Sequence, residues 1–240
     1  MAFTASLFAT LLILFFAGLT KSTLGFGEAL IAIPLLTITL GIQRAAPLAG
    51  LVGLTLAALI AARNWQGMDF RITGRLLLAA AIGVPLGVWG LKVLPETLMT
   101  AGLGIILIAT GLYNLFAPTM PTLEDSRWSY LFGLFAGMLG GAYSTAGPPV
   151  VVYGAMRRWS PAHFRVTLQG FFLPMSVLII FGHMSAGLWT KEVLQIFLLS
   201  LPLLLLAYGV GTRLNRAISP QQFARLVYGG IILLGGMLLI

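Results

Sequence analysis

Two short stretches of this chain carry residue types suited to holding a small anion. They are Thr20-Lys21-Ser22-Thr23-Leu24-Gly25-Phe26-Gly27-Glu28 and Gly140-Gly141-Ala142-Tyr143-Ser144-Thr145-Ala146-Gly147-Pro148-Pro149, and each interrupts a long apolar run. Gly25, Gly27 and Gly147 allow backbone to come close to a ligand. Ser22, Thr23, Ser144 and Thr145 supply hydroxyl donors, and Phe26 and Ala146 lie among them. Pro148 and Pro149 fit a first helical turn, where φ is already correct and a missing N–H matters least. A helix starting at the end of each stretch turns unpaired N–H groups and roughly half a positive charge toward it. That is a ready anion site, and it calls for no metal and no cofactor. In hydrocarbon, broken backbone survives only where protein buries it or where it lines a wet cavity. Two such breaks at matching places in two halves of a chain point to a transporter's substrate site.

Lys21 and Glu28 are charges inside an apolar run, and ionisable residues at membrane depth mark function by default. Lys21 adds positive potential for the anion. Glu28 must lose its charge, or pair with Lys21, when the anion sits nearby, which would couple transport to a proton. The competing expectation is a purely structural Lys21–Glu28 pair, or a Glu28 helix cap. Gln169 lies one turn deeper than Arg165 and lines the site if it faces inward. His163 and His183 fall near helix ends on opposite faces and read as interfacial side chains. Neither has a second ligand at metal spacing. With no nucleophile–base pair in view, an enzyme is disfavoured. The absence of cysteine excludes disulfides and thiolate metal sites.

The elements that must position these residues are helices in a bilayer. Hydrophobic residues make up 59% of the chain and charged residues 8%, with a mean hydropathy of +1.00, far from a soluble domain's mix. Several apolar stretches reach the roughly 20 residues that span a membrane. The chain therefore reads as an all-α polytopic membrane protein in contact with lipid. Its net charge of +8 belongs to cytoplasmic loops near anionic headgroups, and no nucleic-acid partner is implied. Hydrophobic windows predict helices over residues 5–20, 28–40, 45–62, 72–91, 97–116, 128–141, 148–157, 162–183, 191–212 and 220–239.

Residues 117–127 form a polar, proline-marked linker, predicted cytoplasmic, between a first repeat over 1–116 and a second over 128–240. The halves share punctuation: Phe16-Ala17-Gly18 echoes Phe135-Ala136-Gly137, and Pro95, Gly104 and Gly111 return as Pro220, Gly229 and Gly236. Segments of about 15 residues cover only about 22 Å at 1.5 Å each, short of a core of about 30 Å. Each broken pair is therefore expected to be a re-entrant hairpin, followed by three transmembrane helices, and the two repeats to be inverted. One face then carries Arg63, Arg71, Arg75, Arg127, Arg157, Arg158, Arg165, Arg213 and Arg216, against Arg44, Lys92 and Lys191 on the other. Continuous spans would divide these residues almost evenly, contrary to the positive-inside rule. The hairpin arrangement places both termini outside a bacterial cytoplasmic (inner) membrane. Gly83-xxx-Gly87 and Gly133-xxx-Gly137 read as helix-packing pairs.

Taken together, Gly18-Leu19-Thr20-Lys21-Ser22-Thr23-Leu24-Gly25-Phe26-Gly27-Glu28 through Pro34-Leu35, and Gly137 through Gly147-Pro148-Pro149-Val150-Val151-Val152-Tyr153, with Arg157-Arg158-Trp159-Ser160 and Phe164-Arg165-Val166-Thr167, resemble the TauE/SafE family of sulfite exporters. The likeness covers essentially the whole chain. Ser144-Thr145-Ala146 departs from it where many relatives carry more glycine. The resemblance implies secondary transport of small sulfur oxyanions or organosulfonates, and in some relatives of other small organic anions; a proton or sodium is the candidate coupling ion of a coupled carrier. The alternatives are an anion channel with the same site, or a membrane scaffold subunit without transport.

Overall fold

Apolar windows punctuated by glycine and proline fold into ten helices in the computed structural model, which describes residues 2–62, 70–116, 121–217 and 220–239. They are α1 (Ala2–Leu24), α2 (Glu28–Leu40), α3 (Ile42–Ala61), α4 (Phe70–Val93), α5 (Glu96–Phe116), α6 (Trp128–Tyr143), α7 (Gly147–Met156), α8 (Pro161–Ser185), α9 (Lys191–Ala217) and α10 (Pro220–Met237). Arg63, Trp65 and residues 117–120 lie outside the described residues, as do the side chains of Arg71, Arg165 and Arg216. Among the described residues, six helices contain stretches long and apolar enough to cross a membrane: α1, α3, α4, α5, α8 and α9. Large apolar side chains such as Phe8, Leu78, Ile82, Ile105, Leu198 and Leu226 face outward, where lipid would cover them. The chain is an all-helical, multi-pass membrane protein.

One expectation fails at the first break. The helix predicted to stop at residue 20 continues to Leu24 and is 23 residues long, enough to cover about 34 Å at 1.5 Å per residue. Its hydroxyls explain the continuation. Thr20, Ser22 and Thr23 donate to the carbonyls of Phe16, Gly18 and Leu19 at 2.9, 2.7 and 2.8 Å, each four residues back. Side chains satisfied on their own helix do not divert the backbone into a turn. The break is therefore only Gly25-Phe26-Gly27, and shortness does not apply to α1. The 13 residues of α2, 16 of α6 and 10 of α7 are short, as expected.

Packing follows a pattern. Helix α4 lies along α6 and α1 along α9; α4 also meets α8, and α3 meets α9; α2 rests on α1 and α3, and α7 on α6 and α8; α5 packs on α10, and α3 on α8. Exchanging each helix for the one five places later maps every one of these pairs onto another, or onto itself. The intimate crossings run through glycine. A Cβ at Gly83 or Gly87 of α4 would overlap the α6 backbone at Leu134 and Met138, and one at Gly133, Gly137 or Gly141 would overlap Leu76, Ala80 and Val84 of α4. On the other side Gly18 meets Ala207 and Leu204, Gly211 meets Ser22, and Gly104 lies against Gly235 of α10. Without a hydrophobic force between helices in lipid, close backbone approach is what holds them together.

Candidate anion-binding site

Both breaks open on one cavity, together with α3 and α8. Its lining includes Lys21 of α1; Phe26 and Gly27 of the first break; Glu28, Ala29 and Leu30 of α2; Ala49, Gly50 and Gly53 of α3; Ser144, Thr145 and Ala146 of the second break; Gly147 and Pro148 of α7; and Phe172, Met175, Ser176 and Ile179 of α8. The cavity volume is about 30 Å³. One water needs roughly 10–15 Å³ on that measure, so a body of a few heavy atoms fits.

Backbone conformation brings the two helix starts to this point. Gly25 and Gly27 adopt φ of 89° and 96°, a left-handed geometry that glycine takes at no steric cost. Gly25 N–H closes α1 on Lys21 O at 2.7 Å, and Gly27 stands as N-cap of α2. In the second break Ser144 is the left-handed residue, with φ of 52°. Its N–H returns to Gly140 O at 2.8 Å, and Thr145 N–H to Leu139 O at 3.3 Å. Ser144 Oγ also donates to Ala46 O of α3 at 2.7 Å, which ties the break across the two halves.

The helix ends at the breaks are finished unequally. Neither Gly27 nor Ala146 caps its helix with a side chain, so the first-turn N–H groups of α2 are left open beside the cavity, and at α7 that of Gly147, Pro148 and Pro149 having none. The carbonyl ends are covered. Gln169 Nε2 donates to Gly25 O at 3.0 Å, Asn215 Nδ2 donates to Thr23 O, and His183 Nε2 meets Gly141 O at 2.8 Å. A carbonyl only accepts, so that ring nitrogen carries its hydrogen. Donors thus quench the negative ends of α1 and α6 while the positive ends of α2 and α7 stay exposed to a ligand.

Lys21 and Glu28 form an ion pair with side-chain exposures of 2% and 12%. Lys21 Nζ also donates to Gly53 O at 3.2 Å and stands 5.5 Å from the centre of the Phe172 ring, within cation–π range. Each charge also sits at the favourable end of its own helix: the lysine in the last turn of α1, the glutamate in the first turn of α2. Of the two expected states of Glu28 beside an anion, charge loss or pairing, this structure holds the pair. Gly53 makes room for it, since a Cβ there would come within 3.2 Å of Glu28 Oε1.

Of the residues singled out in the sequence, Lys21, Phe26, Gly27, Glu28, Ser144, Thr145, Ala146, Gly147 and Pro148 line the cavity. Ser22, Thr23, Gly25 and Gln169 do not: Ser22 and Thr23 pack on α9 at Gly211, and Gln169 holds Gly25 from behind. The hydroxyls also differ from expectation. Each of the four spends its hydrogen on a backbone carbonyl, so donation to a ligand falls to backbone N–H groups and Lys21. His183 is not interfacial; it is 0% exposed. The contributions of α3 and α8 were missed. Their signal is a stripe on α8, Gln169, Phe172, Ser176, Ile179 and His183, opposite the small residues Ala49, Gly50 and Gly53.

Comparison with known proteins follows the same lines. The model of the "Sulfite exporter TauE/SafE" family matches residues 10–238. The "probable sulfite/organosulfonate exporter TauE" of Cupriavidus necator is 27% identical over 229 residues, covering 92% of this chain and 88% of that protein. No solved structure matches the chain. With a family match running through both breaks and nearly the full length, the chain belongs to the TauE/SafE sulfite exporter family.

Proposed function

We propose that the protein is a secondary transporter of a small sulfur oxyanion or organosulfonate, bound between the starts of α2 and α7 and carried across the bacterial inner membrane. The observation that carries this reading is the convergence of both breaks on one cavity, with open N–H ends, quenched carbonyl ends and a buried lysine. The C. necator relative's name pairs sulfite with organosulfonates, and the same class of cargo is assigned here. An anion entering the cavity competes with Glu28 for Lys21, so the pair holds the empty site together and yields on loading.

Residues 1–116 and 128–240 act as two inverted repeats joined by the cytoplasmic linker 117–127, with both termini outside. The exchange symmetry of the helix pairs named above, which contacts such as those of α2 with α5 and α10 do not share, supports a repeat, and alternating access is the motion that such repeats permit. A channel or a silent scaffold is separable by flux. In proteoliposomes loaded with labelled sulfite, a carrier releases label faster when unlabelled sulfite is added outside. A channel gives large flux indifferent to trans sulfite, and a scaffold gives none. Imposing a proton or a sodium gradient in the same vesicles identifies the coupling ion.

A further inference from the structure

We infer that the site takes its cargo as a monoanion bearing its own hydrogen-bond donor, hydrogensulfite being the simplest case, and rejects dianions such as sulfate. The inference rests on the transport reading above and names the charge state that the site selects.

Charge decides the first half. Among the described lining residues, α1 contributes the cation Lys21 and α2 the anion Glu28, and these two are paired. The lining residues of α3 and of the α6–α7 break carry no charge, and the titratable group α8 brings close is His183, behind Gly50. The ion pair sums to zero. What remains is two N-termini at no more than roughly half a positive charge each, weaker at α7, where Pro148 and Pro149 carry no N–H, and so at most about one charge together. A monoanion balances that. A dianion would leave an uncompensated charge out of water, which folded proteins avoid.

Hydrogen bonding decides the second half. Ser144, Thr145 and Ser176 line the cavity, and all three give their hydroxyl hydrogens to carbonyls, of Ala46, Tyr143 and Phe172, at 2.7, 2.9 and 2.8 Å. Their oxygens keep only lone pairs for a ligand. Beside them His183 Nδ1 is buried without a partner. It lies 3.5 Å from where a Cβ on Gly50 would stand, a point itself 3.1 Å from Ser144 Oγ. With Nε2 engaged at Gly141 O, Nδ1 is left without a partner behind Gly50, just outside the cavity wall. A fully deprotonated oxyanion offers acceptors alone to this wall of acceptors. A cargo O–H or N–H satisfies it.

The test uses full-length protein in proteoliposomes, with protein-free vesicles subtracted. Sulfamate, a monoanion with N–H donors at every working pH, and methanesulfonate, a monoanion of like size with none, are measured beside sulfite, which passes from hydrogensulfite to dianion near neutrality, and sulfate serves as competitor. The expected result has four parts: sulfamate flux flat with pH, methanesulfonate flux well below it, sulfite flux falling as pH rises in proportion to the hydrogensulfite fraction, and no competition by sulfate. Glu28→Gln leaves the Lys21 charge unbalanced, so sulfate should compete in that variant. If it fails to fold, the wild-type selectivity decides alone. Methanesulfonate carried as well as sulfamate, sulfate competing in the wild type, or sulfite flux holding or rising with pH while sulfamate stays flat, overturns the inference and leaves transport intact. Absence of flux for every anion tested overturns the transport reading, and this inference with it.

Discussion

Lys21 and Glu28 are the residues on which the account turns, and their energetics make sharp predictions. Removing one member of a buried ion pair typically costs roughly 3–5 kcal/mol, because the other charge is stranded, whereas replacing both with apolar or neutral groups can be nearly neutral. Lys21→Met should therefore destabilise the protein strongly. The double variant Lys21→Met/Glu28→Gln should recover most of that loss in a thermal melt but none of the anion flux. Recovery of both would make the pair a structural element only. Gln169 is tested differently, since it covers Gly25 O without touching the cavity. Gln169→Leu should cost about 1–3 kcal/mol for the stranded carbonyl and also weaken anion binding, since the negative end of α1 is then less well quenched. A stability loss with unchanged anion affinity would contradict the unequal finishing of the helix ends.

At the scale of elements, glycine separates two kinds of work. Gly25 and Gly27 are needed for their left-handed backbone, whereas Gly83, Gly87, Gly133, Gly137 and Gly141 are needed because backbone lies against backbone between α4 and α6. Gly137→Val should force α4 from α6 and lower the melting temperature sharply, while Gly236→Val, where an added Cβ meets nothing within 4 Å, should leave it nearly unchanged. Helix positions were legible because apolar runs bounded by glycine and proline mark their own ends. The packing role of the Gly83/Gly87 and Gly133/Gly137 pairs was legible from their spacing. The end of α1 was not: Thr20, Ser22 and Thr23 look like turn residues in letters, yet in an apolar helix they bond back to their own carbonyls. Nor could the sequence show that α3 and α8 complete the cavity. Gly50, Gly53 and Ser176 acquire meaning only when tertiary packing brings them opposite Lys21 and Ser144. His183 looked interfacial from its place near a helix end, but α8 buries that face against α6.

For the whole molecule, the proposal is two repeats of opposite orientation about one shared site. The chain has no cysteine, so single introduced cysteines report sidedness without background. Ser126→Cys, in the linker, should react with an impermeant thiol reagent only from the cytoplasmic side, and Thr190→Cys, between α8 and α9, only from outside. Labelling of both from one side would contradict the inverted arrangement while leaving the cavity and its helix ends as described.

If the two breaks make one anion site, the melting temperature of the purified protein must depend on its ligand. A ligand that binds only the folded state stabilises it by about 2.7 kcal/mol at a hundredfold excess over its dissociation constant. Sulfite should raise the melting temperature of the wild type in a saturable way. Lys21→Met at the first break and Gly147→Leu at the second, both at the cavity wall, should each abolish the shift. A sulfite shift that survives at full size in either folded variant would contradict a single site built from both breaks.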